Sequence, residues 1–471
     1  MKKQSGSHNR LVREQRFGRR SPAFSCKAIN SFVLIGSLVS LATSSHSQSY
    51  NFSTIVGQAH QSEVTNGTNS TVRFQLPRCL AFDPAGNLLI SDASVIRKMT
   101  AMGTNWIVNT IAGTALTSGT TDGTNNGALF NTPSGLAIDS SSNIYLADWG
   151  NSAIRKITPI GTNWVVTTLA GLAGISGSAD GTNSDARFKR PFGIVLDNSG
   201  NLIVADSEND TIRKISPQGT NWVVTTLAGS ASNSGSTDGT NAAAQFNLPR
   251  DIVMDDAGNF YVTDFENYTV RKLTPSGTNW IVTTIAGQAG QNAVVDGPNA
   301  TARFSGPDGI TRDNLGNLYV TDRPDNIVRK LTPVGTNWVV TTIGGFAGIS
   351  GSADGTGTNA LFDYPDNIKA DSSGRLYIAD RDNDIIRRGA VAAGSAFIFT
   401  TESVKNGMFA IGGTDSVPFT TGYLLTSTNL RVPVSQWQSI ATNWCDARGN
   451  LIFTNNIDTN SNQRFYILES R

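Results

Sequence analysis

The sequence predicts an all-β protein whose main domain is a six-bladed β-propeller. Five tryptophans stand 58 residues apart, each inside the same Gly-Thr-Asn-Trp motif: Trp106, Trp164, Trp222, Trp280 and Trp338. Arginines keep the same spacing six times, at Arg97, Arg155, Arg213, Arg271, Arg329 and Arg387. A fixed period of this length indicates repeated units that bury their faces against one another. Because the units are short β-branched runs without helical periodicity, they favour propeller blades over an α-solenoid.

Each unit is predicted to hold four strands, as the third copy illustrates. Its inner strand, residues 193–196, leads through an Asp-Asn-Ser-Gly-Asn turn into a second strand at residues 202–205. The third strand covers residues 211–215 and the fourth covers residues 222–227. Successive residues in these strands are apolar instead of alternating, so we expect both faces of each sheet to be covered by neighbouring blades.

Two further marks recur six times and set the number of blades. Phe-x-x-Pro pairs begin at Phe74, Phe130, Phe188, Phe246, Phe304 and Phe362. An aspartate ends the second strand at Asp92, Asp148, Asp206, Asp264, Asp322 and Asp380. The Gly-Thr-Asn-Trp fourth strand occurs only five times, and residues 53–57 match residues 109–113 of that strand. We therefore expect the N-terminal segment to supply the fourth strand of the last blade and to close the ring.

The repeated pattern resembles the NHL repeat. In the fourth copy it runs from Ala228-Gly229 through Asp238-Gly239 and Phe246-x-x-Pro249 to Asp255-x-x-Gly258-Asn259-x-Tyr261, and ends at Arg271. The match covers about residues 52–391. The resemblance implies a six-bladed propeller that often acts as a binding platform. A few relatives with this repeat are enzymes, including an amidating lyase with histidine-bound metal, and gluconolactonase-like propellers are more distant. The resemblance therefore indicates fold more strongly than function.

The segment before the repeats has the layout of an export signal. Residues 1–47 carry eight Lys/Arg and one acid, Glu14, ahead of an apolar stretch at residues 29–42 that small residues follow. This stretch is short for a spanning helix. We expect residues 1–47 to be removed, leaving a secreted, periplasmic or cell-surface protein without a membrane span. An uncleaved membrane anchor is the alternative.

The chain changes character after the sixth repeat. The propeller is predicted over residues 48–391, a small-residue linker over residues 392–396 and a separate module over residues 397–471. Strand-like runs separated by turn signals in this module predict an antiparallel β-sandwich of roughly seven strands. The module resembles an immunoglobulin- or fibronectin-like domain of exported bacterial proteins.

Net charge argues against a nucleic-acid partner. The whole chain has 37 Lys/Arg and 36 Asp/Glu; without residues 1–47, 29 basic and 35 acidic groups remain, a net charge of −6. A nucleic-acid binder needs a basic footprint. We expect instead an extracellular protein or glycan as partner, and a monomer.

The chain offers no catalytic constellation. It has three histidines, and His8 and His46 fall within the signal segment, which leaves His60. One imidazole cannot build a histidine-rich metal site. The repeated aspartates are predicted to bond turn N–H groups. Asp-Gly pairs at residues 122, 180, 238, 296 and 354 supply oxygen ligands in the crossovers, the segments that connect one blade to the next. We expect no cofactor and no metal site, with calcium as the open alternative.

Residues that differ among the repeats mark the candidate site. Just after the crossover proline stand Arg78, Ser134, Phe192, Arg250, Asp308 and Asp366; Asp251 is the next residue in the fourth copy. After the second-strand aspartate stand Ala93, Trp149, Ser207, Phe265, Arg323 and Arg381. Strand direction puts both positions on the crossover face. Trp149, Phe192 and Phe265 are predicted to form an aromatic sector, and the charged residues Arg250, Asp251, Asp308, Arg323, Asp366 and Arg381 a charged sector beside it.

These observations predict an exported, non-catalytic propeller that binds an extracellular protein or carbohydrate on its crossover face. Two alternatives stay open at this point. One is a lactonase- or lyase-like propeller enzyme that uses carboxylates and calcium. The other is a purely structural cell-surface protein.

Overall fold

The computed structural model describes residues 49–392, followed by six strands within residues 397–470. Residues 49–392 form a six-bladed β-propeller. The predicted export signal (1–47) and all but the first residue of the predicted linker lie outside the described residues.

Each blade begins at its crossover proline with the inner strand. The inner strands are Pro77–Phe82, Pro133–Ile138, Pro191–Leu196, Pro249–Met254, Pro307–Arg312 and Pro365–Ala370. The second strands are Leu88–Asp92, Ile144–Asp148, Leu202–Asp206, Phe260–Asp264, Leu318–Asp322 and Leu376–Asp380. In the fourth blade Pro249 pairs with Asp264, so the first residue of one strand faces the last residue of the next.

The outer half of each blade is a long hairpin. The third strands are Val95–Met102, Ala153–Ile160, Thr211–Gln218, Thr269–Ser276, Ile327–Val334 and Ile385–Val391. Five fourth strands follow, at Asn105–Ala112, Asn163–Ala170, Asn221–Gly229, Asn279–Gly287 and Asn337–Gly344. All pairings within the blades are antiparallel, as the four-strand prediction required.

Every blade also has a fifth strand that the sequence analysis missed. These two-residue strands pair with the fourth strand of the blade that follows: Gly67–Thr68, Gly123–Thr124, Gly181–Thr182, Gly239–Thr240, Gly297–Pro298 and Gly355–Thr356. Two residues are too few to show a period. Each one belongs to a crossover and covers the outer sheet edge, which would otherwise expose unpaired backbone groups.

Short 3-10 turns are the helices of the described residues. One set follows the edge strands, at Asn69–Thr71, Asn125–Gly127, Asn183–Asp185, Asn241–Ala243, Asn299–Thr301 and Gly357–Asn359. The other follows four of the second strands, at Trp149–Asn151, Ser207–Asn209, Phe265–Asn267 and Arg323–Asp325. None of them has the length or the hydropathy to cross a membrane.

The sixth blade takes its fourth strand from the other end of the propeller. Tyr50–Gly57 pairs antiparallel with Ile385–Val391. The Tyr50 hydroxyl lies 2.8 Å from that of Tyr319, and the inner strands of the sixth and first blades are in contact. That the ring depends on Tyr50–Gly57 for its closure stays a prediction.

The apolar core lies between the blades. The cluster between the second and third blades contains Phe188, Ile154, Ile194, Leu202 and Val204, each at most 4% exposed. Trp222 packs at its edge. Five equivalent clusters occupy the other gaps. Both faces of each sheet are thus covered, in agreement with the continuous apolar runs of the strands.

The two sets of repeated aspartates have different roles. Asp197 bonds its own turn, as predicted: its Oδ1 accepts the N–H groups of Ser199 and Asn201, both at 2.8 Å. The second-strand set also accepts backbone N–H groups, as Asp206 does from Lys189 at 2.8 Å, but it has a further role that was not predicted. Asp206 is fully buried and accepts a hydrogen bond from Arg213 at 2.7 Å. A buried carboxylate needs a paired cation, and the repeated arginine supplies it.

The crossover aspartates bind the same arginines from outside. Asp180 accepts hydrogen bonds from Arg213 at 2.7 Å and from the Thr226 N–H group at 3.0 Å. The Arg213 guanidinium also lies 5.2 Å from the centroid of the Phe188 ring. Arg213 thereby ties the crossover to its blade, so the Asp-Gly carboxylates that were candidates for calcium already have a cationic partner.

The strands after the propeller form two antiparallel sheets. One contains Phe397–Lys405, Met408–Asp415 and Asn450–Asn456, and the other contains Gln438–Trp444, Thr421–Ser427 and Phe465–Ser470. The described part of this module has six strands, where roughly seven were predicted. That the two sheets pack as a sandwich stays a prediction.

Candidate binding face at the channel mouth

Strand register brings the variable positions together. Because each crossover proline pairs with the aspartate that ends the second strand, the residue after the proline and the residue after the aspartate leave the sheet at the same end. The inner strands surround the ring axis, so this end is one mouth of the central channel. The variable side chains meet here, and we call them the mouth cluster: Arg78, Trp149, Phe192, Arg250, Phe265, Asp308, Arg323, Asp366 and Arg381.

Arginine side chains of the mouth cluster cover its phenylalanine rings. The Arg250 Cζ lies 4.8 Å from the ring centroid of Phe192 and 4.9 Å from that of Phe265. The Arg323 Cζ lies 5.5 Å from the ring centroid of Phe265 and 5.5 Å from that of Tyr364. These distances fall within the range of cation–π attraction. Arginines and rings therefore alternate from the third blade to the sixth.

Trp149 is covered in the same way. The guanidinium of Arg190 lies 4.3 Å from its ring centroid, and that of Arg78 lies 5.8 Å away. Arg190 in turn donates a hydrogen bond to Glu208 at 2.6 Å. The predicted separation into an aromatic sector and a charged sector was thus wrong, because cations from neighbouring blades lie over the rings.

The two aspartates at the mouth are buried counterions. Arg323 donates to Asp308 at 2.6 Å and to Asp366 at 2.8 Å, and both carboxylates are fully buried. Both were predicted as ligand-binding residues; in the structure their carboxylates are enclosed by Arg323. Burial raises the pKa of Asp308 to about 6, against the attraction of Arg323. Burial alone would lower the pKa of Arg323, but the two carboxylates outweigh it and the net shift is upward.

Arg78 and Arg381 complete the charged ring. Each has a guanidinium nitrogen 3.7 Å from the Asp366 carboxylate, one approaching from the first blade and the other from the sixth. Arg381 also pairs with Asp382 at 3.1 Å. One buried carboxylate thus holds three arginines from three blades, since Arg323 binds it too.

Asp251 lies deeper in the channel and belongs to a polar plug. Its Oδ2 accepts hydrogen bonds from the Asn367 side chain at 2.8 Å and from the Ile310 N–H group at 3.1 Å, and the Lys369 ammonium lies 3.4 Å away. The inner strands approach closely here: a Cβ on Gly193 would stand 2.6 Å from the Asp251 Cα. Asp251, which was predicted as a ligand-binding residue, therefore joins blades four, five and six.

Two residues at the mouth were missed. Arg190 and Tyr364 occupy the position just before the crossover proline, where the other copies have Leu76, Thr132, Leu248 and Gly306. Tyr364 and Arg190 have positive φ angles of 50° and 51°. The variation of this position among the copies was the signal that would have found them.

Two grooves lie between the outer strands of neighbouring blades. One of about 610 Å³ lies between blades two and three and is lined by Lys156, Thr168 and Trp222, among others. Its equivalent of about 330 Å³, between blades three and four, is lined by Lys214 and Trp280. The paired lining residues are 58 positions apart. These grooves follow from the repeat, so they carry no sign of an individual site.

Within the part of the chain that the structure describes, no three His, Cys, Asp or Glu side chains lie close enough together to hold a metal ion. His60 is exposed in the crossover that precedes the first inner strand, and its backbone N–H group donates to the Asn383 carbonyl at 3.1 Å.

Comparison with known proteins agrees with the repeat pattern. The family model described as NHL repeat matches residues 246–273. The chain is 30% identical over 342 residues to the Arabidopsis thaliana protein SUPPRESSOR OF QUENCHING 1, chloroplastic, which covers 68% of this chain and 30% of that protein. It is 26% identical over 344 residues to NHL repeat-containing protein 2 of Gallus gallus, covering 66% and 46%. The chain thus spans less than half the length of these relatives.

Solved structures share the fold. A structural genomics protein of unknown function from Bacteroides thetaiotaomicron VPI-5482 superposes with a TM-score of 0.55 at 22% identity, covering 73% of this chain and 76% of that one. An auxiliary nutrient binding protein from Bacteroides ovatus ATCC 8483 superposes with a TM-score of 0.54 at 18% identity, covering 72% and 76%. At these identities the likeness concerns the fold alone.

Proposed function

We propose that this chain, whose ring is an NHL-repeat β-propeller, is an exported, non-catalytic binding protein. Its ligand is an extracellular protein or carbohydrate that docks on the crossover face at the channel mouth. The observation that carries the proposal is the mouth cluster, in which arginines and aromatic rings from neighbouring blades meet.

The scaffold does not require this cluster. The positions of Phe192 and Trp149 hold serine and alanine in other copies, at Ser134 and Ala93, and those blades form the same four strands. Aromatic side chains and arginines carry most of the binding energy in protein interfaces. Residues that the fold leaves free and that are of these types support a binding role.

The carboxylates at the mouth support binding over catalysis. Asp308 and Asp366 are fully buried beneath Arg323. A general acid or base must come within hydrogen-bond reach of its substrate, and an enclosed carboxylate that already pairs with arginine is badly placed for that. Their charge instead holds Arg323 in position.

Export is supported by two independent observations. The basic and apolar layout of residues 1–47 is typical of a cleaved signal. A structural neighbour from Bacteroides ovatus is described as an auxiliary nutrient binding protein, and export would suit a similar role here. We propose the same location here, with residues 397–471 as a β-sandwich module that attaches or spaces the propeller.

An array of extracellular proteins, acidic and neutral peptides, and glycans tests the proposal. Wild type is compared with the double variant Trp149→Ala, Phe265→Ala, in which two half-buried rings of the mouth are removed. Phe192 is left in place because it is buried. We expect the affinity for any ligand of the mouth to fall by about 1–4 kcal/mol.

The matched control is Phe346→Ala, which removes a ring that is 56% exposed and lies outside the mouth cluster. It should bind like wild type. If the double variant keeps full affinity while its melting temperature falls sharply, the two rings pack the blades and the face is not the binding site.

A further inference from the structure

Arg250 differs from the other arginines of the mouth cluster because it forms no ion pair with a described residue, whereas Arg78, Arg323 and Arg381 each lie within 4 Å of a carboxylate. Its Nε is buried without a hydrogen-bond partner, as are the Nε atoms of Arg323 and Arg381. Arg323 pairs with Asp308, and Arg381 pairs with Asp382. An arginine that leaves water without a counterion loses hydration free energy with no electrostatic return.

The ion pairs of the mouth cluster lead to the same residue. Four arginines, Arg78, Arg250, Arg323 and Arg381, face three carboxylates, Asp308, Asp366 and Asp382. Arg250 is the arginine of these four that has no described carboxylate within ion-pair distance. Burial lowers the pKa of the Arg250 guanidinium, while Asp308, Asp366 and Glu266 attract it from beyond that distance and Arg323 repels it.

The geometry leaves one route to this guanidinium. The ring centroids of Phe192 and Phe265 lie 4.8 and 4.9 Å from the Arg250 Cζ. Only its Nε is buried without a partner, so the terminal N–H groups at the edge of the guanidinium are left for a hydrogen-bond acceptor. A carboxylate fits such an edge, because two of its oxygens can accept two parallel N–H groups.

The same contacts disfavour a neutral sugar. A sugar ring stacks on the open face of an aromatic side chain, but an arginine already lies over each of Trp149, Phe192 and Phe265, and Phe192 is buried. The rings hold guanidinium groups at the mouth, and arginine clusters of this kind recognise acidic motifs.

We infer that the ligand of the channel mouth is an acidic protein segment, one of whose carboxylates pairs edge-on with Arg250. This inference rests on the proposed function, since it names the chemistry of the ligand that the same face would bind. Arginine and aromatic anchors together are typical of protein interfaces, which favours a peptide over a glycan as the carrier of the carboxylate.

The test uses synthetic peptides that contain Asp and Glu, the same peptides with Asn and Gln instead, and oligogalacturonate as an acidic glycan. Binding is measured to wild type, Arg250→Gln, Arg250→Lys and the double variant Trp149→Ala, Phe265→Ala. The control is Arg375→Gln, which removes an arginine paired with Asp371 in an exposed turn at the opposite end of its blade. Melting temperatures of all variants check folding.

We expect the acidic peptides to bind wild type and Arg375→Gln alike, and the amide peptides to bind weakly. Arg250→Gln should weaken acidic-peptide binding about 30-fold, which corresponds to loss of one desolvated charge pair. Arg250→Lys keeps the charge but loses the paired N–H edge, so it should weaken binding by a smaller factor. It also decides the matter if Arg250→Gln does not fold.

Three outcomes would overturn the inference, and they differ in what they leave standing. Acidic and amide peptides that bind equally, with binding still lost in the Trp149, Phe265 double variant, would refute the carboxylate and keep the proposed function. Arg250-dependent binding of oligogalacturonate without peptide binding would make the ligand an acidic glycan. Peptide binding that survives the double variant would refute the proposed function as well.

Discussion

Replacing Asp206 by alanine should destabilise the propeller far more than replacing Asp180 by alanine, although both carboxylates bind Arg213. Asp206 lies at the end of a second strand with its side chain fully buried. Asp180 lies in the preceding crossover, where its side chain is 48% exposed. The two variants remove the same chemical group from the same arginine, so their difference isolates burial.

The magnitude follows from the donors that each carboxylate satisfies. Asp206 accepts hydrogen bonds from Arg213 at 2.7 Å, from the Asn209 side chain at 2.7 Å and from the Lys189 N–H group at 2.8 Å. Removing one partner of a buried ion pair costs about 3–5 kcal/mol when the other charge stays behind without water. Because Asp180 still pairs with Arg213 in the Asp206 variant, we expect a loss at the lower end of this range. At the half-exposed Asp180 water can replace the lost acceptor, so the cost should be about 1 kcal/mol.

Guanidinium chloride unfolding, followed by tryptophan fluorescence, measures both variants against wild type. The Asp206 variant should show a clearly lower midpoint and the Asp180 variant a small shift. Equal losses in the two variants would refute the idea that the repeated Asp–Arg pair is a buried structural bond. If added calcium stabilised wild type but neither variant, these carboxylates would instead be metal ligands.

Three further predictions concern closure, metal and pH. Deleting residues 48–57 should lower the melting temperature and promote aggregation, because Ile385–Val391 loses its paired strand; cooperative melting at the wild-type temperature would contradict this. Chelation with EDTA should leave melting and ligand binding unchanged, whereas a stoichiometric bound metal with chelator-sensitive lactone hydrolysis would favour the enzyme alternative. Burial raises the pKa of Asp308 from 3.8 to about 6, so the folded state holds its proton more tightly than the unfolded state does. The stability that this adds is complete below pH 4 and is lost as the pH rises through 6. Between pH 4 and pH 7 the free energy of unfolding of wild type should therefore fall by about 1–3 kcal/mol relative to that of Asp308→Asn. A difference between the two proteins that stays constant with pH would contradict this.

The sequence was sufficient for the blades because their information is local and repeated. The aspartate of the Asp197 turn bonds residues two and four positions away, so its role can be read from the motif. The apolar runs identify strands that are covered on both faces. Six copies of the crossover proline count the blades, and the match of residues 53–57 to residues 109–113 points to the strand that pairs with Ile385–Val391.

The partners of the charged groups depend on the tertiary structure. Arg323 and Asp366 are 43 residues apart, and Asp251 and Asn367 are 116 apart, yet each pair is hydrogen-bonded. The sequence placed these residues on the correct face but could not tell a ligand-facing aspartate from a buried counterion. That distinction depends on which side chains of other blades fill the mouth first. Burial and charge pairing are sums over neighbours from several blades, and only the closed ring brings those neighbours together.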